Sequence, residues 1–175
     1  MIELLNNKYI PEMLELLKKY HATEDKNCEI VLNRDQQQLE ELILNGYVFG
    51  KHKNKKLIGF ASLLKYNAIN ALNKTNSENR IRKERFFDEN DINDKNTALL
   101  LNDLIDIDYR GESLYKELIL IRLDKIRELG YEHVVEYINI NKVQGINDFL
   151  KNGWKFGTLI KISKNRYEIL LHFKI

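Results

Sequence analysis

The chain has 175 residues, of which 43% are hydrophobic and 31% are charged, and its formal net charge is +2 at pH 7. This length suits one globular domain with a substantial core, and we expect residues 1–175 to form it. The composition excludes a disordered or fibrous protein. The small net charge gives no support to a nucleic-acid or membrane partner.

Three features of the sequence favour the cytoplasm. Cys28 is the only cysteine, so an intramolecular disulfide is impossible and a reducing compartment is the simplest one. Residues 1–19 lack the basic segment before an apolar run that a signal peptide needs. No apolar stretch reaches the roughly 18 to 20 residues of a membrane-spanning helix.

The first part of the chain predicts a strand and two helices. Residues 2–5 are typical of a short strand, and apolar residues recur at helical spacing over residues 10–20. Asp35 and Gln38 form the pattern of a capping box, which starts the second helix. Gly46 is expected to end that helix.

A hairpin and a charged excursion follow. Tyr47–Gly50 and Leu57–Leu64 are β-rich runs on either side of the polar segment KHKNKK, which predicts a hairpin with a long loop. Residues 73–96 lack apolar periodicity, and we expect a mobile excursion or a short helix with a loop. Acidic residues alternate with its basic ones, so a solvated surface is favoured over a basic patch made of Arg80, Arg82, Lys83 and Arg85.

The second half of the chain alternates strands with helices. Residues 97–107 predict a strand, residues 112–129 a helix that ends at Gly130, and residues 133–140 a second strand. A strand, a helix and a strand over this span indicate two parallel neighbours joined by a right-handed crossover. A shorter helix is expected over residues 143–152.

Two closing strands, residues 154–162 and 167–175, complete the series, with a turn at residues 163–166. In order, the chain predicts one strand, two helices, three strands, a helix, a strand, a helix and two strands. The fold class is therefore α/β (α+β mixed sheet), with a central mixed sheet of about seven strands flanked by about four helices.

The junction between the strand ending near Ile105 and the following helix is the most informative segment. A helix N-terminus offers several backbone N–H groups without intrahelical partners and a partial positive charge, which suits a diphosphate. Arg110 would add a full positive charge, and Gly111 would let the backbone approach the ligand closely. The sequence therefore predicts an anion site where this helix begins.

At these residues the chain resembles the GCN5-related N-acetyltransferase (GNAT) superfamily, whose acetyl-CoA loop follows the pattern Q/R-x-x-G-x-G/A. Arg110 matches the first position, while Ser113 stands at the first glycine and Tyr115 at the small residue. The predicted order of strands and helices is also the superfamily's usual topology over nearly the whole chain. The resemblance implies the GNAT fold and acetyl-CoA as co-substrate.

The resemblance also implies which residues hold acetyl-CoA. In the superfamily the strands flanking the loop splay apart, and the main chain of Ile105 and Ile107 would hydrogen-bond the pantetheine arm between them. Asn141 matches an asparagine that ends the next strand, although a simple strand-end cap is an equal interpretation. The implied cofactor-binding residues are Ile105, Ile107, Arg110, Gly111, Glu112, Ser113, Leu114, Tyr115, Asn141 and Phe149.

Phe149 stands where relatives often have a tyrosine that protonates the departing CoA thiolate. A phenyl ring cannot donate a proton, so transfer would use another acid, a water or direct loss of the thiolate, whose conjugate thiol has a pKa of about 8.5. The nearby Gly153 and Trp154 match the same motif, or are simply a helix end and a core aromatic residue.

Acyl transfer to an amine also needs a base, because only about one amine in a thousand is neutral at pH 7. Asp103 is a candidate on the strand before the loop, and Glu136 is a candidate on the neighbouring strand. Strand alternation places Asp103 on one apolar face with Ile105 and Ile107, where partial burial would raise its pKa. A carboxylate on the solvent side of the sheet is an equal interpretation for either residue.

Histidine chemistry is not expected in the reaction. His172 alternates with apolar residues in a closing strand, which favours a core residue. His21, His52 and His133 lack the mutual spacing of a metal site.

Two functions from different classes follow from these residues. The first is an acetyl-CoA-dependent N-acyltransferase, a monomer or homodimer, that moves an acetyl group to a primary amine of a small molecule or peptide by direct attack in a ternary complex. The alternative is a non-catalytic acyl-CoA-binding regulatory or interaction domain, which Ser113, Tyr115 and Phe149 support. A nucleic-acid binder fits less well, because the charges are mixed and no aromatic-rich binding strand accompanies them.

Overall fold

The computed structural model describes residues 2–23, 34–65, 86–110, 113–163 and 166–175. Several predictions lie outside these ranges: those for Cys28, the first part of the charged excursion with its four basic residues, Gly111 and Glu112, and the centre of the last turn at 164–165.

The described residues form one sheet of seven strands with helices. The strands are β1 (Ile2–Leu4), β2 (Gly46–Lys53), β3 (Lys56–Lys65), β4 (Thr97–Ile105), β5 (His133–Asn139), β6 (Lys155–Ser163) and β7 (Arg166–Lys174). Their order in the sheet is β1-β2-β3-β4-β5-β7-β6. The longer helices are α1 (Ile10–Thr23), α2 (Gln36–Asn45), α3 (Leu114–Glu128) and α4 (Val143–Lys151). The predicted fold class is therefore confirmed.

The chain divides into two compact units. The described residues of Met1–Leu64 and Leu101–Lys125 form the first unit, and those of Lys65–Leu100 and Ile126–Ile175 form the second. Over the described residues, no helix combines the length and the apolar character that crossing a membrane requires.

In the first unit, local sequence signals form the helices as predicted. Buried apolar residues of α1 recur at helical spacing, namely Ile10, Met13, Leu16 and Leu17. At the start of α2, the Gln38 amide donates to Asp35 Oδ1 at 2.9 Å and the Asp35 amide donates to Gln38 Oε1 at 3.1 Å. This reciprocal pair is the predicted capping box, and it satisfies two amides that the helix itself cannot.

The predicted long loop between β2 and β3 is wrong. Lys53 pairs with Lys56, so Asn54 and Lys55 form a two-residue turn. Their φ angles of 53° and 63° are both left-handed, as in a type I′ hairpin turn. The remaining polar residues of KHKNKK therefore lie in the strands, because the exposed end of a hairpin accepts charged side chains.

Gly46 ends α2 by a different means from the one expected. Its backbone is extended, with φ −153° and ψ −161°, and it is already the first residue of β2. A Cβ at this position would lie 2.3 Å from Leu64 Cδ2 and 2.5 Å from the Leu63 carbonyl oxygen. Glycine is required at position 46 because its backbone lies very close to β3, and not because the backbone is left-handed.

Replacing Gly46 with alanine is expected to lower the free energy of unfolding by about 1–3 kcal/mol, because backbone must move to admit the methyl group. Gly145→Ala in α4 is the matched control, since a Cβ there meets nothing within 4 Å. It should leave the free energy unchanged or raise it by up to about 1 kcal/mol. Urea unfolding measures both, and equal effects would contradict the packing described here.

In the second unit, β4 pairs in parallel with β5, which confirms the prediction that these two strands are parallel neighbours. Thr97 lies opposite His133 at one end of the pairing, and Leu100 lies opposite Glu136 at the other. Antiparallel pairing joins β5 to β7 and β7 to β6. Gly130 has φ +74°, which confirms it as the left-handed end of α3.

Candidate functional site

β4 ends at Ile105, two residues earlier than predicted. Ile107 instead begins a 3-10 turn, Ile107–Tyr109, and its side chain is exposed. The placement of Ile107 on a strand face beside Asp103 is therefore wrong. The reason is local: Asp106 Oδ1 accepts the Asp108 amide at 3.2 Å and turns the chain out of the strand.

Asp106 is the most strongly constrained side chain at this turn, and its side chain is 0% exposed. Its carboxylate accepts hydrogen bonds from Lys19 of α1 and from Lys56 of β3, the latter at 3.0 Å. Burial alone would raise the pKa of this carboxyl, but the hydrogen bonds from Lys19, Lys56 and the Asp108 amide outweigh it and lower the pKa. Asp106 is therefore a buried anion at neutral pH.

Two aromatic rings hold cationic side chains around the same turn. The Arg110 guanidinium lies 5.3 Å from the centre of the Tyr20 ring, and Lys53 Nζ lies 4.9 Å from the centre of the Tyr109 ring. Arg110 is nonetheless exposed to solvent. Its charge therefore lies at the surface of the first unit, where an anionic ligand can reach it.

The helix after the loop begins at Leu114, two residues later than expected. Immediately before it, Ser113 has φ +56°, the left-handed backbone that glycine adopts most readily. Serine thus takes the glycine-like conformation at the position of the first pattern glycine. The first hydrogen bond at the start of α3 is donated by the Glu117 amide to the Ser113 carbonyl at 3.1 Å. The amides of Leu114, Tyr115 and Lys116 lie before this donor, in the first turn of the helix.

The start of α3 packs tightly against the sheet of the first unit. A Cβ at Gly59 of β3 would lie 3.0 Å from Leu114 Cδ2 and 3.1 Å from the Leu104 carbonyl oxygen. Leu114 is buried, whereas Tyr115 is half-buried. Ile105, Arg110, Ser113, Leu114 and Tyr115 all lie in the first unit, and their assignment as cofactor-binding residues stays a prediction.

Asn141 and Phe149 lie in the second unit. β5 ends at Asn139, whose Oδ1 accepts the Asn141 amide at 2.9 Å, so Asn141 is an exposed turn residue and does not end the strand as predicted. The Phe149 ring is buried and lies edge-on to Trp154, with 4.7 Å between ring centres. Gly153 has φ +89° and Trp154 is buried, which agrees with a helix end followed by a core aromatic residue.

The structure describes the side chain of one candidate base, Glu136, but not that of the other, Asp103. Glu136 is buried on β5, with Leu100 and Leu171 as its neighbours on β4 and β7, so it is not on the solvent side of the sheet. Asp103 lies within β4, but its side chain is outside the described part of the structure. Both assignments as base stay predictions.

Sequence reasoning missed three buried polar features. One is the Asp106 carboxylate with its two lysines, and another is Arg122, which donates to the Leu118 carbonyl at 3.0 Å and to the Ser62 carbonyl at 3.3 Å. Arg122 lies four residues after Leu118, so helical spacing alone places it on the buried face.

The third missed feature is a histidine pair in the second unit. His133 Nδ1 and His172 Nε2 lie 2.9 Å apart, and the rings stack with 5.1 Å between centres. Burial, followed by the positive charge of neighbouring groups, lowers the pKa of His172 to about 4, and burial also lowers the pKa of His133. The prediction of His172 as a core residue is confirmed. Among the described side chains, no group of three or more His, Cys, Asp or Glu could hold a metal ion.

The sequence matches no family model and no curated protein. The fold, in contrast, matches solved structures over nearly the full length of both chains. Ribosomal-protein-alanine N-acetyltransferase of Brucella melitensis is 11% identical, with a TM-score of 0.71 and coverage of 100% of this chain and 99% of that one.

Two further structures were solved with a ligand. The paia N-acetyltransferase of Thermoplasma acidophilum, in complex with coenzyme A, is 16% identical, with a TM-score of 0.66 and coverage of 100% and 99%. The yncA protein of Salmonella typhimurium, with its cofactor acetyl-CoA, is 12% identical, with a TM-score of 0.69 and coverage of 99% and 92%. At these identities the likeness establishes the fold.

Proposed function

We propose that this chain, whose fold is that of the GNAT acetyltransferases, is an acetyl-CoA-dependent N-acyltransferase. The acetyl group would pass to a primary amine of a small molecule or peptide by direct attack in a ternary complex. One observation carries the proposal: β4 is followed by the 3-10 turn Ile107–Tyr109, and Ser113 has a left-handed backbone immediately before α3. Structures of the same fold with coenzyme A and acetyl-CoA support it.

The residues of the first unit fit a diphosphate group. The first-turn amides of α3, among them those of Leu114 and Tyr115, point along the helix axis toward the loop, and the helix dipole favours negative charge there. Ser113 turns the chain as a glycine would, and exposed Arg110 supplies a full positive charge. The main chain of Ile105 would bind the pantetheine arm.

In the proposed reaction, the amine nitrogen attacks the thioester carbonyl carbon, the C–S bond breaks and CoA leaves as a thiolate, while the extra proton on the new amide nitrogen passes to water. A base must first take a proton from the ammonium form, and Glu136 and Asp103 are the candidates. A backbone N–H near the end of β4 would stabilise the oxyanion. The Phe149 ring has no proton to give, so the thiolate would leave unassisted or take a proton from water.

Arg110→Ala is expected to weaken CoA binding by about 1–3 kcal/mol, because a charge-assisted hydrogen bond to phosphate is lost. Arg127→Ala is the matched control, since Arg127 is also exposed but lies in the last turn of α3 and not in the loop. Calorimetric titration with CoA gives both dissociation constants. Unchanged affinity in Arg110→Ala would show that the loop is wrongly assigned.

Activity is tested by mixing purified protein with acetyl-CoA and a broad panel of amines while free thiol is measured. We expect thiol release that depends on both the protein and at least one amine. Binding of acetyl-CoA without release across the panel would instead support the non-catalytic acyl-CoA-binding domain, which the buried Phe149 at the position of the tyrosine favours. Absence of binding would reject both functions.

A further inference from the structure

We infer that Asp106 is a positioning residue for the acetyl-CoA loop, because its buried carboxylate anchors the turn before the loop to α1 and to β3. The inference rests on the proposed function, since the loop that Asp106 holds is the proposed diphosphate site. It goes beyond that function by assigning a role to a side chain outside the loop motif.

Three hydrogen bonds within the polypeptide fix the direction of the chain at Asp106. Its amide donates to the Ile58 carbonyl of β3 at 2.9 Å, and its carbonyl accepts the Tyr109 amide at 2.9 Å. Its side chain accepts the Asp108 amide at 3.2 Å. The strand therefore stops at this residue and the chain enters the 3-10 turn in one defined direction.

Two lysines from distant parts of the sequence supply the countercharge. Lys19 of α1 and Lys56 of β3 each bind one carboxylate oxygen of Asp106. A buried carboxylate without such partners is strongly unfavourable, so the position of the carboxylate determines where all three elements meet. Lys19 also binds Asp108, whose side chain is largely exposed.

The turn held by Asp106 leads directly into the proposed site. Arg110 follows the last residue of the turn, and its amide donates to the Ile107 carbonyl at 3.4 Å. Ser113 and the first two amides of α3 come four to six residues after Tyr109. A displaced turn would therefore move the Arg110 guanidinium relative to the first amides of α3. Small displacements of binding groups weaken binding strongly.

The test compares CoA binding by the wild-type protein, Asp106→Asn and the control Asp108→Asn using calorimetry. Asparagine keeps the size of the side chain and an acceptor for the Asp108 amide but removes the charge that holds both lysines. We expect the dissociation constant to rise about tenfold in Asp106→Asn, with a stoichiometry near one. Asp108→Asn should change it less than about twofold, because an exposed ion pair contributes little.

Stoichiometry separates positioning from loss of structure. A variant of which part is irreversibly misfolded would bind fewer equivalents of CoA with the wild-type dissociation constant, whereas a reversibly unfolded fraction would raise the apparent dissociation constant only by the inverse of the folded fraction. In the double variant Asp106→Asn/Arg110→Ala, the loss of binding free energy should be smaller than the sum of the losses in the two single variants, because Asp106 acts partly by placing Arg110.

The outcomes distinguish this inference from the proposed function. If the wild-type protein does not bind CoA, both are overturned. If it binds and Asp106→Asn binds equally well, only the role of Asp106 is overturned. Should Asp106→Asn fail to fold, the variant Lys56→Met provides the test, because Lys56 is half exposed and its replacement disturbs the fold less. A roughly threefold rise in the dissociation constant for CoA supports the inference, and an unchanged value overturns it.

Discussion

Replacing Phe149 with alanine is expected to lower the free energy of unfolding by about 3–5 kcal/mol, the usual cost of removing a buried phenyl ring. The Phe149 ring is 2% exposed and lies edge-on to Trp154. Trp154 in turn stacks on Phe173, with 5.6 Å between ring centres. The substitution therefore opens a cavity beneath an aromatic cluster of the second unit.

Leu150→Ala is the control for this substitution, because Leu150 is the next residue of the same helix and is 39% exposed. It should cost less than about 1 kcal/mol. Denaturant unfolding monitored by tryptophan fluorescence measures both variants. A loss below about 1 kcal/mol in Phe149→Ala would show that the ring is not part of the core.

Acidification is expected to destabilise the protein through His172. Its folded-state pKa of about 4 lies below the ordinary value of 6.5, so the unfolded chain binds a proton more readily between these two values. The contribution of His172 is therefore complete above about pH 6.5 and is lost as the pH falls. From pH 7, the loss amounts to about 2 kcal/mol at pH 5 and about 3 kcal/mol at pH 4.

The measurement is the free energy of unfolding as a function of pH in the wild-type protein and in His172→Gln. Glutamine does not titrate. As the pH falls from 7 to 5, the free energy of unfolding should therefore fall by about 2 kcal/mol more in the wild-type protein than in His172→Gln. His21→Gln provides the control, because His21 is exposed on α1. Parallel pH profiles for the wild-type protein and His172→Gln would contradict a buried neutral imidazole.

Features decided by neighbouring residues could be predicted from the sequence. The capping box of Asp35 and Gln38 formed as expected, because all its atoms lie within one helical turn. The left-handed end of α3 at Gly130 formed for the same reason. In the candidate site, the sequence correctly predicted a helix after β4, because a strand joined to a helix is a local signal.

The errors arose where distant residues or side-chain geometry decide the backbone. KHKNKK suggested a loop because it is polar, yet cross-strand pairing with register Lys53–Lys56 leaves only a two-residue turn. Ile107 suggested a continued strand because it is apolar, yet the Asp106 side chain ends the strand.

Long-range partners left no local signal at all. Lys19 is 87 residues from Asp106 along the chain, and His133 is 39 residues from His172. No periodicity or motif links residues at such separations. The charge network at Asp106 and the histidine pair therefore became visible only in the folded structure.

A crystal structure of the protein with bound CoA is the most direct test of the proposed function. We expect diphosphate oxygens within about 3 Å of the first-turn amides of α3, including those of Leu114 and Tyr115, with the Arg110 guanidinium beside them. CoA bound elsewhere, with the first turn of α3 in contact only with side chains of the protein, would contradict the proposed function.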